Sequence, residues 1–121
     1  MTDVEYRELS FAPAYRVGSD GSVWSRRKAR WGFGPWRELR GWVDAFWYRC
    51  YGLMLPGAKV GRSFRGHVLV MQAFRGERPA GMDVCHGNGD PADNRLENLR
   101  YDTRRANIED AQRAGTFRQR A

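Results

Sequence analysis

The chain has 121 residues and a mass of 14.0 kDa, room for one compact domain with a small core. Its 21 Lys and Arg residues against 14 Asp and Glu leave a formal charge of +7, and 19 of the 21 are Arg, a surplus that suits a polyanion gripped by guanidinium forks. No apolar run approaches the ~18 residues of a spanning helix, residues 1–12 are no secretory leader, Cys50 and Cys85 make no disulfide framework, and 41% hydrophobic with 13% aromatic residues excludes a disordered chain.

These properties predict a soluble, unexported, cytosolic domain. A GC-rich genome would also raise Arg over Lys, so charge alone assigns no partner.

In chain order, Tyr15 to Ser25 (YRVGSDGSVWS) alternates apolar and polar residues around Asp20-Gly21, a dipeptide suited to a tight hairpin turn. Residues 26–35 (RRKARWGFGP) read as a basic, glycine-bearing loop. Trp36 to Leu55 is aromatic-rich, with Trp42, Phe46, Trp47, Tyr48 and Tyr51 suited to strands of a small antiparallel sheet. Pro56-Gly57 breaks it, and a second basic stretch runs from Lys59 to Arg65. His67 to Phe74 (HVLVMQAF) sets Val70, Ala73 and Phe74 at helical spacing before Gly76, which predicts a short buried helix. Beyond Pro79 the spacing predicts a brief strand from Met82 to His86, a loop from Gly87 to Asp93 and a returning strand from Leu99 to Asp102. Thr103 should cap a last helix, Arg104 to Ala114, that Gly115 ends. Thr116 to Ala121 should fray.

Three residues of this half carry chemistry. Asn98 and Asn107 follow His86 by 12 and 21 residues. His86 ends the first strand, Asn98 stands where the loop enters the second, and Asn107 lies early in the helix. A helix packed across the hairpin would bring His86 and Asn107 face to face, pairing a titratable base with a neutral oxygen ligand.

The stretch DVCHGNGDPADNRLENLRYDTRRANIED resembles the His-Asn-His/Asn (HNH) endonucleases, whose core is the ββα-metal motif or His-Me finger. RGHVLVMQAFRG looks like the helix that leads into that motif in phage and intron-encoded, homing-endonuclease-like members. YRVGSDGSVWS is similar to the NUMOD4-like segment that often precedes it. The resemblance covers residues 14–110. It implies that His86 is the general base taking a proton from the water that attacks a DNA phosphate, a task suited to a ring of unperturbed pKa near 6.5. It implies that Asn98 braces the loop and helps to orient the His. It implies that Asn107 binds one divalent ion, Mg²⁺ or Mn²⁺, which would contact the scissile phosphate and stabilise the leaving 3′ oxygen. One position departs: many members carry Asp immediately before the His as a second ligand, and here it is Cys85, whose thiol suits softer metals. Asp83 and Asp90 stand outside the matching position.

Other side chains have plainer explanations. His67 opens an apolar helix face and is read as packed and hydrogen-bonded rather than catalytic. Asn94, in PADNRLEN, is read as a turn residue bonding its own backbone. Cys50, His67, Cys85 and His86 lack the Cys-x₂₋₄-Cys spacing of a structural zinc site. Arg26, Arg27, Lys28 and Arg30 interleave with Trp24 and Trp31, as a groove-contacting loop or a solvated one. Arg62, Arg65, Arg100, Arg104 and Arg105 lie near the motif and could bind phosphates close to the cut. Arg104 and Arg105 open a helix, where the dipole disfavours cations unless a DNA phosphate supplies the negative charge.

The expectation is therefore a single α+β domain over 1–121, with a β-rich DNA-contacting segment at 14–60 and an HNH nuclease core at 61–115. It would be a metal-dependent DNA endonuclease, a hydrolase nicking one strand as a monomer or weak homodimer in a bacterial cytoplasm, with no membrane partner. The alternative is a non-catalytic DNA-binding module on a nuclease scaffold, favoured by Cys85. An RNA-directed nuclease would share the same phosphate chemistry.

Overall fold

Apolar residues in the first half alternate over only a few positions at a time, so its strands are short. In the computed structural model, which describes residues 3–115, β1 (Tyr6–Leu9), β2 (Ala12–Gly18), β3 (Val23–Ser25) and β6 (Arg37–Glu38) form one four-stranded antiparallel sheet in that order. The β2–β3 hairpin turns at Asp20-Gly21 as its sequence predicts: the Asp20 carboxylate accepts the Ser22 N–H at 3.0 Å, and Gly21 takes φ 89°. β4 (Lys28–Ala29) and β5 (Gly32–Phe33) pair as a minimal separate hairpin within the basic loop. The aromatic stretch supplies β7 (Trp42–Val43) and β8 (Arg49–Leu53), and the basic stretch after it ends in β9 (Arg62–Arg65), completing a three-stranded sheet.

The second half follows its sequence signals closely. α1 (Gly66–Arg75) buries Leu69, Val70, Met71 and Phe74 and ends at Gly76, φ 79°. β10 (Asp83–His86) and β11 (Leu99–Asp102) are antiparallel, with Asp83 opposite Asp102 and His86 opposite Leu99. α2 (Arg104–Ala114) starts at Thr103, whose hydroxyl accepts the Ala106 N–H at 3.2 Å, and stops at Gly115 in the left-handed region. The residues expected to fray, 116–121, lie outside the described part.

One core joins the halves. Leu9, Val17, Val23, Tyr51 and Leu53 of the sheets pack with Leu69, Val70, Met71 and Phe74 of α1, and Val84 and Leu99 of the hairpin close it. Each such side chain contributes about 1.5–3 kcal/mol when fully buried, so α1 is the wedge that fixes the hairpin against the sheets. α2 packs across β10 but buries only Asp110 and Ala111. Its attachment is polar: the Asp110 carboxylate, 2% exposed, accepts Arg100 Nη2 at 2.8 Å and also pairs with Arg113.

Candidate active site at the hairpin loop

His86 ends β10 and is 4% exposed. Its Nε2 lies 2.9 Å from Asn94 Oδ1. An amide oxygen only accepts, so Nε2 carries the proton and the ring's acceptor lone pair sits on Nδ1. Asn94 is itself buried. It is housed by two glycines: a Cβ at Gly66 would lie 2.8 Å from Asn94 Nδ2, and one at Gly21 would lie 2.8 Å from its carbonyl carbon. The next turn is tied to the N-terminal hairpin, because the Leu96 N–H donates to the Ser19 carbonyl at 2.9 Å.

Asn98 has a different task. Its Oδ1 accepts the Asn88 N–H at 3.0 Å, and its Nδ2 donates to Asn88 Oδ1 at 3.0 Å and to the Asp93 carbonyl at 2.9 Å. It pins the loop across its width, whereas the hydrogen bond to His86 Nε2 comes from Asn94. Asp93 adds to the brace: hydrogen bonds from Arg95 hold its carboxyl down at about 2. Asn94, taken from sequence for a turn residue, thus has its side chain turned inward onto the imidazole.

A stack of rings forms the next layer. His67, in the first turn of α1, lies 4.9 Å from Tyr48 at 29° and 4.9 Å from His86 at 59°, centroid to centroid. It is packed, as its position on α1 predicts, and it also lines a cavity of about 780 Å³. Tyr48, Arg65, Arg78, Asp83, Arg104 and Asn107 share those walls. His86 lies behind them, in ring contact with His67. Three guanidiniums against one carboxylate make the cavity attractive to anions.

The donor set suits a hard cation. Asn107 and Asp83, an amide and a carboxylate, both line the cavity. Cys85 does not compete: it is fully buried, its Sγ 3.9 Å from the Asp83 and Thr103 carbonyls, and burial pushes its thiol up to about 11. A protonated thiol is no metal ligand. Among the described residues no three His, Cys, Asp or Glu side chains converge on one point. An amide and a carboxylate alone fit an ion that keeps mostly water and phosphate oxygens, such as Mg²⁺, and not structural zinc.

The basic residues singled out from sequence divide by environment. Arg65 and Arg104 reach the cavity. Arg27, Lys28 and Arg30 are exposed in or beside the β4–β5 hairpin. Arg62 is exposed near Phe64, and Arg105 is exposed beside Glu109 at 3.4 Å. Arg26 and Arg100 are engaged within the fold. Arg26 donates to Glu8 at 2.5 Å and the Pro13 carbonyl at 3.0 Å, with its guanidinium 4.0 Å from the Phe33 ring centroid and 4.3 Å from that of Trp36. Arg100 bridges Asp102 and Asp110. Tyr48, Arg78 and Asn94 carried no sequence signal for this site, since each arrives by long-range packing.

A family model described as HNH endonuclease matches residues 65–108, the stretch that builds α1, the β10–β11 hairpin and the start of α2. No curated protein matches the chain. Among solved structures, one described as "DNA binding and cleavage by the HNH homing endonuclease I-HmuI" superposes with a TM-score of 0.71 at 27% identity. The match takes in 93% of this chain and 60% of that one, so the chain spans well under two thirds of its neighbour's length. The α+β architecture is similar to that of the HNH homing endonuclease, and the segment that builds α1, the β10–β11 hairpin and the start of α2 matches the HNH endonuclease family model.

Proposed function

We propose that the chain is a divalent-metal-dependent DNA endonuclease that hydrolyses phosphodiester bonds, with His86 as general base and Asn107 as the metal-holding side chain. The supporting observation is the 2.9 Å bond from His86 Nε2 to Asn94, set behind a cavity that joins Asn107 to Arg65, Arg78 and Arg104.

In this mechanism Arg65, Arg78 and Arg104 seat the phosphate, and Arg104 gains at the α2 N-terminus the anion its helix dipole favours. Asn94 holds the imidazole so that Nδ1 accepts the proton of the attacking water. The approach of water to Nδ1 tightens in the substrate complex, as general-base geometry commonly does. Asn98 keeps the loop, and hence Asn94, in place. Asn107, with Asp83 beside it in the wall, would hold the divalent ion, which supplies charge stabilisation at the phosphate and the leaving oxygen. Arg27, Lys28, Arg30, Arg62 and Arg105 act on flanking phosphates, for affinity rather than chemistry. One site cuts one strand, so a monomer nicks.

Supercoiled plasmid incubated with Mg²⁺, Mn²⁺ or EDTA provides the test. Metal-dependent nicking by the wild type, abolished by His86→Ala and by Asn107→Ala, is the expected result. Plasmid binding without metal-dependent nicking would establish the alternative, a DNA-binding module on a nuclease scaffold, which the buried neutral thiol of Cys85 favours. Nicking unchanged in His86→Ala would reject the residue assignment.

A further inference from the structure

The turn that joins β7 to β8 departs from what its own backbone prefers. The Asp44 N–H donates to the Tyr48 carbonyl at 2.9 Å, and the Trp47 N–H donates to the Asp44 carbonyl at 3.1 Å. The Asp44 carboxylate accepts the N–H groups of Phe46 at 2.8 Å and Tyr48 at 3.1 Å. In such a hairpin loop the last position takes positive φ and is normally glycine or asparagine. Here it is Trp47, at φ 71°, and it is the one non-glycine residue described with positive φ. A bulky side chain in that region is strained.

Packing does not offset the strain. Trp47 is 56% exposed and Phe46 is 50% exposed. The turn is nevertheless held firmly against the cavity. Asp44 Oδ2 lies 3.2 Å from Arg65, the Arg65 guanidinium lies 4.3 Å from the centroid of the Tyr48 ring, and Arg65 and Tyr48 both line the cavity. Two solvent-facing rings on a rigid, strained turn therefore stand one residue from a wall built for phosphate.

We propose that Phe46 and Trp47 form a base-stacking wedge that engages a DNA step beside the phosphate to be cut. This rests on the DNA endonuclease reading and extends it to a recognition surface. The charge next to the rings selects the occupant: with Arg65 paired to Asp44 of the turn and Arg49 opening β8 just after it, the surface matches a base flanked by phosphates better than an apolar protein face. Aromatic rings stack on any base, so the wedge would read deformability rather than sequence.

Trp47→Gly separates this role from a structural one, because glycine suits the turn better than tryptophan does. Thermal unfolding should give a midpoint equal to or above that of the wild type. Binding of a short fluorescein-labelled duplex in EDTA, read by anisotropy, should weaken about five- to a hundredfold, the range for loss of one aromatic–base stack. Phe46→Ala, which leaves the backbone strain alone, should weaken binding in the same range. Equal duplex affinity in wild type and both variants would overturn the wedge while leaving the nuclease reading intact. A marked fall in the Trp47→Gly midpoint would also overturn it, since the ring would then be supporting the fold. A wild type that binds no duplex would overturn both readings together.

Discussion

Two hairpin turns of this protein share a design and differ in what they serve. At 18–22 and at 44–48 an Asp carboxylate accepts the N–H two residues on, and a later residue takes positive φ. In the first turn that residue is Gly21, pressed so close to Asn94 that no Cβ would fit. In the second it is Trp47, pointing its ring into solvent. The first obeys local turn chemistry because the interior demands it: the turn buttresses the residue that orients His86. The second violates the same chemistry with no interior gain, which places its reason outside the fold. Substitutions in the inward region should change turnover or stability, and those in the outward region should change affinity.

The largest effect belongs to the inward region. His86→Ala should lower nicking by about 10²–10⁴-fold, the span attributed to a lost general base, with duplex affinity in EDTA within about twofold of wild type. Quantitative plasmid nicking beside anisotropy checks both, and a parallel loss of affinity would break the division between regions. Next comes Gly21→Ala, which forces a Cβ to 2.8 Å from the Asn94 backbone at φ 89°. A loss of about 2–3 kcal/mol is expected from backbone strain plus the displaced neighbour, seen in denaturant melts as a lower midpoint at unchanged m-value. The contrast with Trp47→Gly, expected to be neutral or stabilising, is the sharpest form of the comparison.

Asn94→Ala should reduce nicking about ten- to a hundredfold by releasing the imidazole. The ¹⁵N shifts of the ring should move from the Nε2–H tautomer toward a mixture, which a merely structural Asn would not cause. The smallest effect is a pH dependence from the loop brace. Asp93 titrates at about 2 in the fold against an ordinary 3.8. A depressed carboxyl stabilises the fold above its ordinary pKa and loses that contribution as pH falls from near 4 through about 2. Because Arg95 is half exposed, the contribution is about 1 kcal/mol. Asp93→Asn should flatten this acid limb in melts between pH 2 and 5.

Much of the ββα half was legible in the text of the chain because its signals are local. Val70, Ala73 and Phe74 at helical spacing, Thr103 as a cap and Gly76 and Gly115 as stops each act within a few residues, and the observed helices end where those residues stand. The aromatic stretch was less legible. Trp42, Phe46 and Trp47 favour strands by type, yet Trp42 alone lies in one, and the three rings are exposed. Composition signals burial only on average, and a surface that meets a partner breaks the average. β1 went unread because four residues with one buried apolar side chain, Leu9, carry no period.

Spacing along the chain sufficed to single out His86, Asn98 and Asn107 and to expect a strand–loop–strand–helix around them, because hydrogen-bond periodicity and capping are near-neighbour effects. Only the folded chain decided that Asn94 holds the imidazole, that Arg26 and Arg100 are engaged in ion pairs of the fold while Arg65, Arg78 and Arg104 line a cavity, and that Cys85 is sealed away as a thiol. Those outcomes depend on which side chains meet after distant segments pack, and on the desolvation that packing imposes. Neither quantity is a property of any short stretch of sequence.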